Sequence, residues 1–142
     1  MSALEIRVAT PEDADAVAAL IAMLGYEASP PEVRDRLALI DPSLLPLVGL
    51  VEGRIVACLS LSLMRVLHRP RPVGRISMMV VDEGRRGQGI GAAMVAAAEA
   101  RLAALGCGLV EVTSNMKRNR AHAFYERLGY ERTSYRFAKK LT

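Results

Sequence analysis

Aromatic residues, cysteines and histidines are all scarce in this sequence, and each shortage argues against a class of protein. The 142 residues include no Trp, two Phe, two Cys and two His. Proteins that bind single-stranded nucleic acid use interleaved aromatic side chains on which bases stack, so we expect no nucleic-acid partner. Cys58 and Cys107 form no CxxC pair, and their spacing to the histidines matches no zinc motif. We therefore expect reduced thiols and no metal.

Long apolar runs are also missing. No run approaches the ~18 residues that a transmembrane helix needs, and the first residues, MSALEIRVATPEDADAV, contain early acidic residues and no apolar signal-peptide core. These absences predict a cytoplasmic protein with no membrane partner. The formal net charge of +4 is modest, so the charge of the whole chain does not indicate nucleic acid either.

Hydrophobic periodicity predicts one domain, residues 1–142, in which strands are interspersed with helices. Helices are predicted after the capping residues Thr10 and Ser29, and at residues 90–105 and 119–128. This order indicates an α/β fold with a mixed sheet and helices on both sides. The predicted strands lie at residues 4–8, 44–52, 55–63, 74–81, 109–113 and 133–138.

The most informative segment is DEGRRGQGIG, which joins an apolar strand to a helix. Gly87, Gly89 and Gly91 alternate directly before the helix, and glycine permits positive φ and a close approach of ligand to backbone. A helix N-terminus presents unpaired N–H groups and the positive end of the helix dipole. The segment therefore predicts a pyrophosphate site, with Arg85 and Arg86 adding charge at its rim. The alternative is a flexible glycine turn whose arginines lie in solvent.

Two well-known phosphate-binding loops fit this segment poorly. A P-loop requires a Lys after the glycines, and none is present. A dinucleotide fold is a closer rival, because Gly87, Gly89 and Ala92 fit GxGxxG/A and Glu111 lies near where an acid should be. However, residues 82–86 separate the strand from the first glycine, and the rest of the chain is too short for a doubly wound sheet.

A third family matches this loop and a second motif as well. The segment RGQGIG at 86–91 resembles the Q/R-x-x-G-x-G/A signature of the GNAT superfamily of acetyltransferases, and AHAFYERLGY at 121–130 resembles its second motif. The resemblance implies a single-domain GNAT-like α/β fold: a mixed, mostly antiparallel sheet of six to seven strands flanked by about four helices. It also implies transfer of an acetyl group from acetyl-CoA to a primary amine of a small molecule, peptide or protein, by direct attack in a ternary complex.

The resemblance further implies roles for individual positions in binding acetyl-CoA. Main-chain groups of Met79, Val80 and Val81 would pair with the pantetheine arm like an added strand, and a backbone N–H of Met79 or Val80 would stabilise the oxyanion. Arg118 departs from the family's pattern, which often has Asn seven residues before the tyrosine, and we expect it to meet a phosphate of CoA instead. The pyrophosphate would be held by Arg86, Gly87, Gln88, Gly89, Ile90, Gly91 and Ala92.

By the same resemblance Tyr125 matches the tyrosine that commonly protonates the leaving thiolate. A phenol with a pKa near ~10 can donate a proton at neutral pH; the alternative is that Tyr125 is an ordinary core residue. Many relatives carry a Glu base in the strand before the loop, but residues 75–79 read RISMM and contain no carboxylate. Glu111 on the next strand either acts through water or has a structural place, as a salt-bridge partner or an exposed edge residue.

The acceptor is not identified by the sequence. Acidic residues of the first two predicted helices and their loops would suit a cationic amine, although several also stand at helix starts, where they are stabilising. A non-catalytic CoA-binding module is the alternative function, because the strand carboxylate is missing. A homodimer is the expected assembly, since two-fold dimers are the commonest soluble oligomers. The acidic residues are Glu12, Asp13, Asp15, Glu27, Glu32, Asp35 and Asp41.

Overall fold

The computed structural model describes residues 3–113 and 119–142, apart from the side chain of Asn119. Its strands form one sheet in the order β1-β2-β3-β4-β5. Short 3-10 turns at Pro11–Asp13, Pro42–Leu44 and Glu83–Arg85 connect some of the elements. The strands and helices are β1 (Leu4–Val8), α1 (Ala14–Met23), α2 (Pro30–Leu39), β2 (Leu47–Val51), β3 (Arg54–Met64), β4 (Val73–Val81), α3 (Ile90–Ala104), β5 (Leu109–Val112) and α4 (Asn119–Arg127).

The sheet is mixed and mostly antiparallel, as predicted. Strands β1 to β4 pair with their neighbours in antiparallel fashion. Strand β5 is parallel to β4, because α3 carries the chain back across the sheet before β5 begins. The helices α1 to α4 match the four that were expected.

The predicted strand at 133–138 is the main error. Residues 130–142 have no regular secondary structure, and every residue from 131 to 142 is exposed. The described residues therefore form a sheet of five strands, and the expected six to seven was wrong. An alternating sequence is compatible with a strand, but a strand also needs a neighbouring edge to satisfy its backbone hydrogen bonds. Periodicity contains no information about that edge.

Each face of the sheet is covered by different helices. Helix α3 packs on one face through a cluster that includes Met94, Val95 and Leu102, all essentially buried. Helices α1 and α2 pack on the other face through a second cluster that includes Cys58 and Val80 of the sheet. The two periodicities, ~3.6 in the helices and 2 in the strands, place these apolar side chains on facing surfaces.

Helix α2 begins directly after its predicted capping residue Ser29, whereas Thr10 caps a 3-10 turn at Pro11–Asp13 and α1 begins only at Ala14. Before α1, the carboxylate of Asp13 accepts a hydrogen bond from the Thr10 backbone N–H at 2.8 Å. It also forms an ion pair with Arg7 at 2.7 Å. Before α2, Ser29 and Glu32 exchange hydrogen bonds in a capping box. Such caps satisfy the unpaired N–H groups of the first helical turn.

Candidate active site

The edge of β4 becomes free halfway along the strand. Its pairing with β5 runs from Val73 opposite Leu109 to Ile76 opposite Val112. Strand β4 then continues through Ser77–Val81, paired with β3 on its other side. In the described part of the chain no strand lies beside this second half. Its backbone N–H and C=O groups are therefore open to an extended ligand, which can pair with them as an added strand.

A β-bulge lies at the point where the two strands separate. Ser60 of β3 is opposite Met78 and Leu61 is opposite Ile76, so that Ser77 is an extra residue in β4. A bulge bends its strand and changes the direction of the groups that follow. The N–H groups after Ser77 include that of Met79, a predicted oxyanion donor. The segment RISMM does not by itself predict the bulge, because the bulge depends on the register of β4 with β3.

The glycine loop has the backbone conformation that its sequence suggested. Gly87 and Gly89 have φ of 81° and 79°, in the left-handed region, and a side chain at either position would meet nothing within 4 Å. Gly89 is also the N-cap residue of α3, and among the described residues no side chain caps that helix start. The first N–H groups of α3 are therefore left without a side-chain cap, as an anion-binding helix start requires.

Gly91 has a different role from the two glycines before it. A Cβ at this position would lie 3.3 Å from Cζ of Phe124 and 3.4 Å from Cε of Met79. The absence of a side chain allows α4 to pack closely against the start of α3 and against β4. The two sequence motifs, some 30 residues apart, are thereby brought together in space beside the free edge of β4.

An aromatic cluster on α4 surrounds the predicted acid. The ring of Tyr125 is edge-to-face with those of Phe124 and Tyr130, at centroid distances of 5.1 and 5.8 Å. Burial raises the pKa of the Tyr125 phenol, so this group keeps its proton throughout the neutral range. The hydroxyl of Tyr130 donates to Oε2 of Glu99 at 2.7 Å. Burial and that carboxylate both raise the pKa of Tyr130. Its hydroxyl proton is therefore held in the hydrogen bond to Glu99.

Glu111 forms a salt bridge, which is one of the roles expected for it. Both Nε and Nη2 of Arg75 donate to its Oε1, the former at 2.8 Å. The two residues are opposite each other in the sheet, beside the last paired position. A side chain at neighbouring Gly74 would collide with Leu102 of α3. Since side chains alternate along a strand, Arg75 and Glu111 face away from α3.

Serine hydroxyls extend this polar area on the same face of the sheet. The Oγ atoms of Ser60 and Ser77 lie 3.3 Å apart. Ser77 is exposed, and Arg75 and Glu111 are half-buried. Further along the face, Met78 and Val80 pack against the cluster under α1 and α2. We call Ser60, Arg75, Ser77 and Glu111 the polar floor, because they form an open, hydrophilic surface next to the bulge.

The predicted site residues differ in how far their side chains are exposed. Arg86, Gly87, Gln88 and Gly89 are exposed in the loop. The side chains of Ile90 and Val80 are buried in the two clusters, so only their backbone groups can contact a ligand. Arg118, with Ser114 and Asn115, lies outside the described residues. Sequence reasoning gave no role to Glu99, whose bond to Tyr130 joins α3 to the end of α4.

Three of the acidic residues considered for the acceptor are engaged elsewhere. Arg7 lowers the pKa of Asp13, and the hydroxyl and N–H of Ser29 lower that of Glu32. Asp41 caps the turn at Ser43, which lowers the pKa of Asp41.

Residues 3–113 and 119–142 contain no group of three or more His, Cys, Asp or Glu placed to hold a metal. None of the helices in those ranges is long and apolar enough to cross a membrane.

Comparison with known proteins agrees with the two motifs and the fold. A family model described as the acetyltransferase (GNAT) family matches residues 14–130. The chain belongs to the GNAT family. It is an acyl-CoA-dependent enzyme that transfers an acetyl group from acetyl-CoA to an amine, so the non-catalytic alternative is set aside.

Individual relatives cover nearly the whole chain. An aminoalkylphosphonate N-acetyltransferase from Salmonella typhimurium is 39% identical over 144 residues, which span 99% of this chain and 94% of that protein. A Trypanosoma brucei acetyltransferase is 28% identical, with a TM-score of 0.82 over 98% of this chain and 100% of that one. An aminoglycoside N-acetyltransferase solved with CoA has a TM-score of 0.86 over 100% and 97% of the two chains. Its 16% identity shows the fold alone.

Proposed function

We propose that this GNAT enzyme acetylates a small primary amine that carries a phosphonate group. The observation that carries the proposal is the 39% identity to an aminoalkylphosphonate N-acetyltransferase, which extends over 99% of the chain. Such an acceptor is a zwitterion, with an ammonium group at one end and an anion at the other. The polar floor, which offers one charge of each sign, supports this assignment.

The proposed donor site combines the free edge of β4 with the start of α3. The fit rests on the uncapped N–H groups after Gly89 and on the unpaired second half of β4. Bound acetyl-CoA supplies an activated thioester. The chain contributes hydrogen bonds from Met79, Val80 and Val81 to its extended arm and a cradle for its pyrophosphate. The cradle consists of Arg86, Gly87, Gln88, Gly89, Ile90, Gly91 and Ala92.

Tyr125 is the proposed general acid. Its phenol gives a proton to the sulfur as the C–S bond breaks and the new N–C bond forms. Tyr130 is a poorer candidate because its hydroxyl already donates to Glu99. Strand β4 has no carboxylate, and Glu111 is held in an ion pair with Arg75. We therefore propose that the acceptor's ammonium group first loses one proton to water and that the resulting neutral amine attacks. A second proton leaves the nitrogen to water after the N–C bond forms, and the Tyr125 phenolate regains its proton from water.

The polar floor is the proposed acceptor site. A guanidinium has five N–H donors, and Arg75 uses two of them on Glu111. The others can bind phosphonate oxygens, since planar guanidinium groups suit such anions. Glu111 holds Arg75 in place and attracts the ammonium end of an approaching acceptor. The hydroxyls of Ser60 and Ser77 supply additional hydrogen bonds.

Thiol release from acetyl-CoA with paired acceptors tests the proposal. An aminoalkylphosphonate is compared with the alkylamine of the same length that lacks the phosphonate. A charge-assisted contact contributes about 1.5–3 kcal/mol, so we expect kcat/KM to be at least about tenfold higher for the phosphonate. Equal rates with both amines would contradict the acceptor assignment and leave acetyl transfer intact.

We further propose that residues 1–142 act as one catalytic domain, in the cytoplasm and as a homodimer. Cys58 and Cys107 are free thiols, in keeping with a reducing compartment. Burial raises the pKa of Cys58 to about 12, which makes its thiol unreactive. Fractionation of cells that express the native chain tests the compartment, and recovery of the protein with membranes or outside the cell would contradict it.

A further inference from the structure

Glu99 is a carboxylate among apolar neighbours on α3. Val95, Ala98 and Leu102, all within four positions of it, are buried, and Glu99 itself is half-buried. Its Oε2 accepts the Tyr130 hydroxyl at 2.7 Å, and no cation in the described part of the chain forms an ion pair with it. A carboxylate that is partly removed from water needs such a hydrogen bond. In this structure the Glu99 carboxylate therefore holds the hydroxyl of Tyr130.

The chain returns to α3 at Tyr130 because of the way in which α4 ends. Gly129 has a φ of 94°, in the left-handed region that ends many helices. The N–H of Gly129 donates to the Glu126 carbonyl, and that of Tyr130 donates to the Tyr125 carbonyl, both at 3.0 Å. These two bonds form a Schellman motif, which often brings the residue after the glycine against the helix residue five positions earlier. Here that contact joins Tyr130 to Tyr125, with ring centroids 5.8 Å apart.

The ring of Tyr125 is in contact with two rings that α3 holds in place. Phe124 and Tyr130 both meet it edge-to-face. Phe124 in turn packs against Gly91 of α3, and Tyr130 is bonded to Glu99 of the same helix. Gly91 and Glu99 are eight residues apart, which is about 12 Å of helix. Helix α3 therefore holds the aromatic cluster at two separate points, and the second point depends on Glu99.

The hydrogen bond to Glu99 restricts the cluster more than ring packing alone can. Edge-to-face contacts tolerate a range of centroid distances, whereas a hydrogen bond weakens steeply when its angle departs from linearity. A bond to a charged carboxylate is also among the stronger ones. Because α3 begins at the proposed pyrophosphate cradle, this bond fixes Tyr125 relative to the helix that would hold the donor.

We propose that Glu99 is a positioning residue, which holds Tyr125 in line with the thioester sulfur through the ring of Tyr130. The inference rests on the proposed role of Tyr125 as the general acid. A proton donor must lie within hydrogen-bond distance of the atom that it protonates, and a misplacement of about 1 Å can reduce a rate about a hundredfold. Glu99 acts only through the rings, and the proton that reaches the sulfur is that of Tyr125.

Thiol release from acetyl-CoA, with the better of the two paired amines as acceptor, tests the positioning role. Glu99→Ala should lower kcat about tenfold or more. It should leave KM for acetyl-CoA unchanged, because the glycine loop and the free edge of β4 are untouched. Glu99→Gln should restore kcat, since its amide oxygen still accepts the Tyr130 hydroxyl. Wild-type turnover of Glu99→Ala, or a loss in Glu99→Gln as large as that in Glu99→Ala, would overturn the proposal.

Arg101→Ala is the matched control, because it also removes hydrogen bonds that join α3 to another part of the chain. Arg101 donates to the carbonyls of Leu45 at 2.6 Å and Pro42 at 3.2 Å. Its loss should lower the melting temperature and leave kcat unchanged, with all variants assayed well below their melting temperatures. Tyr130→Phe replaces Glu99→Ala if the latter does not fold; it keeps the ring, loses the hydrogen bond and should also lower kcat. An equal loss of kcat in Arg101→Ala would show that Glu99 only supports the fold.

The double variant of Glu99→Ala with Tyr125→Phe decides whether Glu99 acts through Tyr125. The effects of residues that act as one unit do not add, so the double variant should be no slower than Tyr125→Phe alone. Two independent effects would multiply, and such a product would overturn the positioning role. Wild-type turnover of Tyr125→Phe would refute the acid together with its positioning. An error in the acceptor class, in contrast, would change only which of the paired amines is used.

Discussion

Gly91 packs against the edge of the Phe124 ring, at a distance that leaves little room for a side chain on the glycine. A Cβ at Gly91 would approach Cζ of Phe124 to 3.3 Å, closer than most such contacts. This pair joins the start of α3, where the pyrophosphate loop ends, to α4, which holds Tyr125. The donor site and the proposed acid therefore share one packing contact.

Enlarging Gly91 should disturb both halves of the site. We expect Gly91→Val to displace Phe124 and to destabilise the protein by about 1–3 kcal/mol, the usual cost of overpacking. Acetyl-CoA should also raise the melting temperature less than in the wild type. Gly84→Ala is the control, because its Cβ would meet nothing closer than 3.6 Å. Equal stability and equal acetyl-CoA response in the two variants would contradict this packing role.

Gly87 and Gly89 should be needed for backbone conformation instead of packing. An Ala at either position must adopt φ near 80°, which costs about 1–2 kcal/mol, or else distort the loop. We predict weaker acetyl-CoA binding, measured by calorimetry, for Gly87→Ala and Gly89→Ala. Gly53→Ala, in the β2–β3 turn at φ 75°, should lose similar stability and keep its affinity. If Gly53→Ala lost affinity as well, the loss would reflect stability alone.

Tyr125→Phe should reduce kcat and leave acetyl-CoA affinity nearly unchanged. General-acid catalysis contributes typically about 10²–10⁴-fold. Because burial raises the pKa of this phenol, the wild-type rate should decline only as pH rises through a value above about 10, and this decline should be absent in Tyr125→Phe. Tyr130→Phe, which loses only its bond to Glu99, should reduce stability without changing the pH profile. Unaltered turnover of Tyr125→Phe would exclude the acid role.

Arg75→Gln should affect the acceptor selectively. We expect KM for an aminoalkylphosphonate to rise about tenfold or more, with little change for an alkylamine that has no phosphonate. Arg69→Gln, in the exposed β3–β4 loop, retains the same net charge as Arg75→Gln and should behave like the wild type. A similar increase of KM for both amines would mean that Arg75 supports the sheet and does not bind the anion.

The Arg7–Asp13 pair should make the folding stability depend on pH in the acidic range. Its hydrogen bonds with Arg7 lower the pKa of Asp13 in the folded state. The stabilisation is therefore complete above the unfolded pKa of about 3.9 and is lost as pH falls through the lower folded value. We expect Asp13→Asn to lower the free energy of unfolding by about 1–3 kcal/mol at neutral pH. The difference in this free energy between the variant and the wild type should become smaller in acid. Urea denaturation at several pH values measures both effects, and a gap that stayed constant would refute the linkage.

The sequence by itself determined the features that depend on neighbouring residues. Steric and hydrogen-bond preferences within a few positions explain the caps at Thr10 and Ser29 and the glycine loop. They also explain the alternation of apolar and polar residues in the strands. Even the left-handed conformations of Gly87 and Gly89 were foreseeable, because few other residues adopt them. These local signals sufficed for the order of the elements from β1 to α4 and for the donor.

Tertiary structure decided the features that need a partner distant in sequence. The bulge at Ser77 exists only through its register with β3, and the Arg75–Glu111 and Tyr130–Glu99 contacts join residues more than 30 positions apart. Residues 133–138 have the pattern of a strand, yet no strand in the described part of the sheet pairs with them. A strand is completed by hydrogen bonds to another strand, and the sequence pattern of one segment does not contain the position of the other.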